Sequence, residues 1–80
     1  MKILTLNIWG APYAKHRPER VEAICNAIKG IAPDILCFQE VYLPDNRQAL
    51  IAGLVDKWCY HHYFPSALIG SGLLTMSKYP

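Results

Sequence analysis

No stretch of this chain approaches the roughly 18–20 continuous apolar residues of a membrane span. Met1-Lys2 leads straight into a strand pattern, without the hydrophobic core region and small-residue cleavage site of a signal peptide. Charge is also scarce. Only 18% of the residues are charged and the net charge is +2, too little for bulk electrostatics to point to nucleic acid or a membrane surface. The three cysteines, Cys25, Cys37 and Cys59, are odd in number and form no C-x-x-C pair. They are expected to be buried, reduced thiols acting as small hydrophobes, which favours a reducing, cytoplasmic compartment. Internal repeats, low-complexity segments and Gly/Ser linkers are missing too, so residues 1–80 read as one domain without an internal boundary.

What the chain has in quantity is apolar surface. Of its 80 residues 52% are apolar, whereas a domain of this size buries only roughly 60% of its unfolded surface. The expectation is an incomplete domain, or one with an obligate partner.

One run stands out: Asp34-Ile35-Leu36-Cys37-Phe38-Gln39-Glu40-Val41. Its almost unbroken apolar character suits a strand buried on both faces, and a glutamate at its end serves no evident folding need. Upstream, Lys2 to Ile8 reads as a strand with Leu4, Leu6 and Ile8 on one face and Ile3, Thr5 and Asn7 on the other. Asn7 is thus a second polar residue near the C-terminal end of an apolar strand, where Asn is disfavoured. Trp9-Gly10-Ala11-Pro12-Tyr13 reads as a loop.

Between these strands a helix is marked by Pro18 at its first position, Glu19 in its first turn and the apolar stripe Val21, Ile24, Cys25 and Ile28. Lys29 falls in its last turn, with Gly30 as the residue just past its end and Pro33 forbidding continuation. Arg17 is a poor N-cap. After the turn Tyr42-Leu43-Pro44, a second helix is expected to start at Asp45 as its cap, with Gln48 completing a capping box and Leu50, Ile51 and Leu54 buried. Trp58 to Pro65 reads as a third strand and Gly70 to Ser77 as a fourth.

The order β-α-β-α-β-β makes the first two strands a parallel pair joined by a crossover. Parallel neighbours end on the same edge of a sheet, so Asn7 and Glu40 are expected at one lip, where α/β sheets usually bind ligands. Glu40 is a hard oxygen ligand of the kind Mg²⁺ takes, with waters and phosphate completing its shell. Asn7 has an amide that can donate to a phosphate oxygen or accept from a metal-bound water. From the pattern alone other roles stay open: a solvated strand end for Glu40, local turn capping for Asn7.

His61 and His62 are neighbours in a strand, point to opposite faces and so do not converge on one ion; they read as a solvated or core-edge pair. Lys15, His16, Arg17 and Arg20 crowd a helix N-terminus that could collect phosphate, though solvation is the simpler account. Gly70-Ser71-Gly72 lacks the spacing of a phosphate cradle and fits tight strand entry or close packing beside the site.

Leu6-Asn7-Ile8-Trp9-Gly10, Lys15-His16-Arg17, Phe38-Gln39-Glu40-Val41, Ile69-Gly70-Ser71-Gly72-Leu73 and Ser77-Lys78-Tyr79-Pro80 together resemble the start of the endonuclease/exonuclease/phosphatase superfamily. The Asn-x-Trp-Gly, Lys-His-Arg and Ile-Gly-Ser-Gly-Leu signals point more narrowly to neutral sphingomyelinases. The resemblance implies a four-layered α/β sandwich of the DNase I-like type, of which these residues would be the N-terminal half. It also implies Mg²⁺-dependent cleavage of phosphodiesters, with Glu40 as ligand of the catalytic metal and Asn7 holding the metal-site network and the phosphate.

The substrate implied is a phospholipid, sphingomyelin cleaved to ceramide and phosphocholine, or another phosphodiester, at a membrane-peripheral place. The alternatives are a nuclease or inositol-phosphate phosphatase of the same superfamily, or a catalytically dead module that binds a partner. The family's second-half Asp-x-Asn pair and C-terminal Ser-Asp-His motif do not occur here. The chain is therefore expected to be an N-terminal portion, inactive alone, that self-associates through an open sheet face.

Overall fold

The structure, a computed structural model, describes residues 1–8, 17–41, 44–65 and 72–80. The described elements are β1 (Ile3–Asn7), α1 (Arg17–Ile31), β2 (Ile35–Gln39), α2 (Pro44–Leu54), β3 (Tyr60–Phe64) and β4 (Leu73–Ser77). The strands form one mixed sheet in the order β1-β2-β4-β3. β1 and β2 are parallel, with Ile3 opposite Ile35 and Asn7 opposite Gln39, as the strand-helix-strand order requires. β4 runs antiparallel to both β2 and β3.

The sheet has two unlike faces. Leu36, Phe38, Leu74 and Met76 pack into one core with Val21, Cys25 and Ile28 of α1 and Leu50 and Leu54 of α2. Each of the Val, Ile, Leu, Phe and Met side chains among them stabilises the fold by about 1.5–3 kcal/mol relative to exposure. On the other face Ile3, Tyr60, Phe64 and Leu73 are exposed, while Ile35, Cys37 and Gln39 are half-buried. The glutamate strand was expected to be covered on both faces. It alternates instead, because α1 and α2 lie on one side only.

Local chemistry moved several boundaries. α1 begins at Arg17, so Arg17 is a helical residue and not the cap, and α1 continues through Gly30 to Ile31. Gly30 was expected just past the end; Ala32 takes the left-handed conformation there, at φ 53°, with its N–H on the Ile28 carbonyl at 2.7 Å. The residue before a proline is disfavoured in the helical conformation, and the helix ends one residue ahead of Ala32, the residue before Pro33. α2 starts at Pro44, a favoured first position, which puts Asp45 inside the first turn and not at the cap. Asn46, unremarked in the sequence, is buried in α2 beside Leu50 and Leu54.

Trp58 precedes β3 and is fully buried, with its indole N–H donating to the Pro33 carbonyl at 2.7 Å. This contact belongs to a lacing at the sheet end remote from Asn7. The Lys2 N–H donates to an Asp34 carboxylate oxygen at 2.8 Å, and the Lys2 ammonium reaches the Ile31 carbonyl at 3.0 Å. Lys78 N–H donates to the Asp34 carbonyl at 3.1 Å. The thiols are not uniformly buried: Cys25 is buried, Cys37 half-buried and Cys59 exposed, since Cys59 lies in the bend between Trp58 and β3. Among the described residues no helix is long and apolar enough to cross a membrane.

Candidate functional site

Asn7 closes β1, and Glu40 lies one residue beyond β2. The parallel pairing sets them on the same edge, and the Asn7 side-chain amide donates directly to a Glu40 carboxylate oxygen. The two residues that strand order alone placed at one lip are hydrogen-bonded there.

Their meeting depends on a departure from strand geometry that the sequence does not announce. Side chains alternate along a strand, and Leu36 and Phe38 face the helices. Continued in register, Glu40 would follow them into the core and Val41 would emerge on the open face with Gln39. The opposite occurs. Glu40 adopts φ 59°, a left-handed conformation that non-glycine residues rarely take. Val41 is fully buried in the core, and the carboxylate reaches Asn7 on the side opposite Leu6.

Such a conformation costs about 1–3 kcal/mol and persists only where the surroundings over-determine it. Val41 supplies that determination through both halves of its backbone. Its N–H donates to the Gly72 carbonyl at 2.9 Å, and its carbonyl accepts the Tyr63 hydroxyl at 2.5 Å. Gly72 sits at φ 92°, which requires glycine. Gly70 and Ser71, which the sequence groups with it, lie outside the described residues. The Arg47 guanidinium of α2 lies over the Tyr63 ring, 4.4 Å from its centroid.

The Asn7 side is tied in a parallel manner. Ile8 N–H donates to the Gln39 carbonyl at 3.1 Å, and the Ile8 carbonyl accepts from the Arg20 guanidinium. Arg20 therefore supports β1 from the first turn of α1 instead of being solvated. The loop Trp9–Tyr13, Lys15, His16 and the side chain of Arg17 lie outside the description. Gln39 donates to the Cys37 carbonyl at 3.1 Å and lies 3.5 Å from the Thr5 hydroxyl, bridging the open face below Asn7.

His61 and His62 are both exposed, and the His62 ring meets Phe64 edge-on at 4.4 Å, which agrees with a solvated pair. Tyr63 and Arg47 carried no signal as site residues, since an aromatic in a strand and an arginine on a helix are commonplace. The hint available was the Gly70-Ser71-Gly72 run beside the site.

Among the described residues no three His, Cys, Asp or Glu side chains gather into a metal cluster. The donor set still suits Mg²⁺ chemically, because that ion is usually held by one or two carboxylates while water and phosphate oxygens fill the remaining positions. Glu40 is the residue that would hold it, oriented by Asn7.

The family model of the Endonuclease/Exonuclease/phosphatase family matches residues 4–80. A putative neutral sphingomyelinase of Drosophila melanogaster is 42% identical over the whole chain, which covers 18% of that protein. Human sphingomyelin phosphodiesterase 2 is 35% identical, again over the whole chain and 19% of its own length. The chain thus spans about a fifth of the curated relatives it matches. Sphingomyelinase C from Streptomyces griseocarneus superposes on all of the chain, over 34% of its own length, at a TM-score of 0.81 and 20% identity. A β-hairpin deletion mutant of Staphylococcus aureus beta toxin covers 99% of the chain and 35% of its own at 0.82 and 15% identity. These two likenesses carry the α/β fold, and the family match carries membership: the chain belongs to the endonuclease/exonuclease/phosphatase family.

Proposed function

We propose that this chain supplies the metal-binding glutamate of a Mg²⁺-dependent phosphodiesterase of the neutral sphingomyelinase type, acting on the phosphodiester of sphingomyelin. The observation that carries this reading is the Asn7–Glu40 hydrogen bond at the common end of two parallel strands, held against the alternation of β2. The 42% and 35% identities to proteins named as sphingomyelin-cleaving enzymes support the substrate class.

When bound, Mg²⁺ stabilises charge on the phosphate oxygens and leaving group. The chain's own part is to present one carboxylate in a fixed orientation. Asn7 takes one Glu40 oxygen as acceptor, which leaves the carboxylate acceptor sites beyond that bond. Asn7 orients Glu40 without contributing charge. One carboxylate leaves most Mg²⁺ positions to water, and the chain spans about a fifth of its curated relatives, so alone it is expected to bind Mg²⁺ weakly and to show no turnover above background.

The test joins this chain to the segment that follows the matched region in the Drosophila relative. The joined protein should hydrolyse sphingomyelin in Mg²⁺ faster than DNA or inositol phosphates. Glu40→Gln, which keeps shape and removes charge, should lower activity by more than a hundredfold and weaken Mg²⁺ dependence, with the circular dichroism spectrum unchanged. Asn7→Ala should cost about tenfold, the order of one hydrogen bond to a charged group. A folded Glu40→Gln protein with parental rate and Mg²⁺ dependence would make Glu40 an ordinary strand end. A strong preference for DNA would remove the sphingomyelinase assignment and leave the family standing.

A further inference from the structure

We propose that Tyr63, braced by Arg47, is a positioning residue for Glu40: its hydroxyl fixes the left-handed bend that turns the carboxylate out of the core and onto Asn7. The inference rests on the metal-ligand reading of Glu40 for its purpose, and on geometry alone for its existence.

The physical chain is short. Glu40 at φ 59° is a conformation the residue does not choose for itself. It can relax only by rotating the Glu40–Val41 segment back towards extended geometry, which would swing Val41 out of the core and Glu40 towards it. Burial of the Val41 side chain resists that rotation, but burial is non-directional and does not set an orientation of the peptide. Two directional contacts do: the Val41 N–H on Gly72 and the Val41 carbonyl under the Tyr63 hydroxyl. The first joins two segments of backbone. The second comes from a side chain on β3, the far edge strand of the sheet, and is the one a single substitution can remove without altering the backbone.

Tyr63 is held in turn. On β3 it pairs with Leu74 of β4, and its ring packs against the core. The Arg47 guanidinium lies over the ring, a cation–π contact that holds the ring against α2 and opposes a swing of the side chain that would carry its hydroxyl away from Val41. The support of Glu40 therefore runs from α2 through β3 to the residue after the carboxylate.

The experiment uses the isotopically labelled chain with Mn²⁺ as paramagnetic probe, comparing wild type with Tyr63→Phe and Arg47→Met. Tyr63→Phe keeps the ring and its packing and removes only the hydroxyl. Hydrogen exchange of the Val41 amide should accelerate about tenfold, and the Asn7 side-chain amide resonances should move, while Leu36 and Phe38 amides change only as global stability does. Mn²⁺ broadening of the Asn7 and Glu40 signals should need about ten times more metal. Arg47→Met should reproduce these effects in part. If Tyr63→Phe leaves Val41 exchange and the Asn7 amide where they were, or changes every core amide equally, the positioning role is wrong. If the wild-type chain shows no Mn²⁺ broadening at Glu40 even with the metal in large excess, enough to saturate a weak single-carboxylate site, while the exchange effects appear, the metal reading of Glu40 fails and the positioning of its backbone stands.

Discussion

The contact between α1 and α2 allows a perturbation whose sign can be worked out in advance. Gly53 lies in α2, and a methyl group built on it would stand 2.9 Å from the Cys25 sulfur and 3.5 Å from its Cβ. Two effects oppose each other in Gly53→Ala. Alanine is favoured over glycine inside a helix by about 1 kcal/mol, whereas forcing an extra methyl into packed surroundings costs about 1–3 kcal/mol. Cys25 is buried between the helices, so its sulfur must shift to admit the methyl. Taking the midpoint of the packing cost, Gly53→Ala should destabilise by about 1 kcal/mol. Cys25→Ala removes one buried heavy atom and should also cost about 1 kcal/mol, on the scale of one buried methylene. In the double variant the new methyl fills the space the sulfur left, the clash vanishes and the helix preference of alanine is recovered. The double variant should then be about as stable as wild type, a coupling of about 2 kcal/mol, within the range seen for residues in direct contact. Urea unfolding followed by circular dichroism measures all four stabilities, with equal slopes as the control for an unchanged denatured state. Additive effects, with the double variant about 2 kcal/mol below wild type, would show that α1 and α2 separate to admit the methyl and that the packing between them is loose.

The remaining expectations concern the ends and the face of the sheet. Asp34 has its pKa held below the usual aspartate value, chiefly by the Lys2 N–H that donates to it; desolvation opposes this in part, and Lys78, the N-terminus and the Lys2 ammonium each add a smaller lowering. Its ionised form therefore favours the folded state above the ordinary aspartate pKa of about 3.9; Asp34→Asn should lower stability at neutral pH, and the difference should disappear as pH falls through the depressed folded value, read by denaturation at a series of pH values. Exposed Ile3, Tyr60, Phe64 and Leu73 give the open face enough apolar surface for the chain to self-associate; light scattering should show oligomers that Ile3→Thr with Leu73→Thr reduces, and a clean monomer of the wild-type chain at high concentration would refute this.

The fold was largely legible because its signals are local and redundant. The stripe Val21, Ile24, Cys25 and Ile28 announced α1, and the strand-helix-strand order dictated the parallel pairing that brings Asn7 and Glu40 to one edge. What misled was local chemistry acting one residue away from where it is written. Pro33 ended α1 through Ala32, so Gly30 was mistaken for the stop, and Pro44 began α2 ahead of Asp45. An apolar run such as Ile35 to Phe38 reads as buried on both sides whether or not a second layer is present, and Trp58, taken for strand, anchors the Pro33 carbonyl from the preceding turn. The meeting of Asn7 and Glu40 was legible as two polar strand ends. Its support was not, because the contacts of Tyr63, Arg47 and Gly72 join residues distant in sequence, and nothing in a glutamate foretells a positive φ.

That left-handed residue explains why a carboxylate can follow a core strand at all. Phe38 and Val41 are both core residues, three positions apart, which no uninterrupted strand permits on one face. The reversal at Glu40 resolves the mismatch: the chain keeps an apolar residue under the helices on either side of the bend, and the residue at the bend itself is expelled to the lip. The strain of the bend is offset by burying Val41 and by its two backbone hydrogen bonds, interactions that act beside the site and not in it. Backbone conformation and side-chain identity are therefore separable at this position. The fold needs a bend at residue 40 and an apolar residue at 41, but nothing in the packing needs the residue at the bend to be charged. What the carboxylate finds there is the amide of Asn7, itself at the end of the neighbouring parallel strand. The identity of residue 40 is a question for the chemistry at the lip, and its conformation a question for Val41, Gly72 and Tyr63.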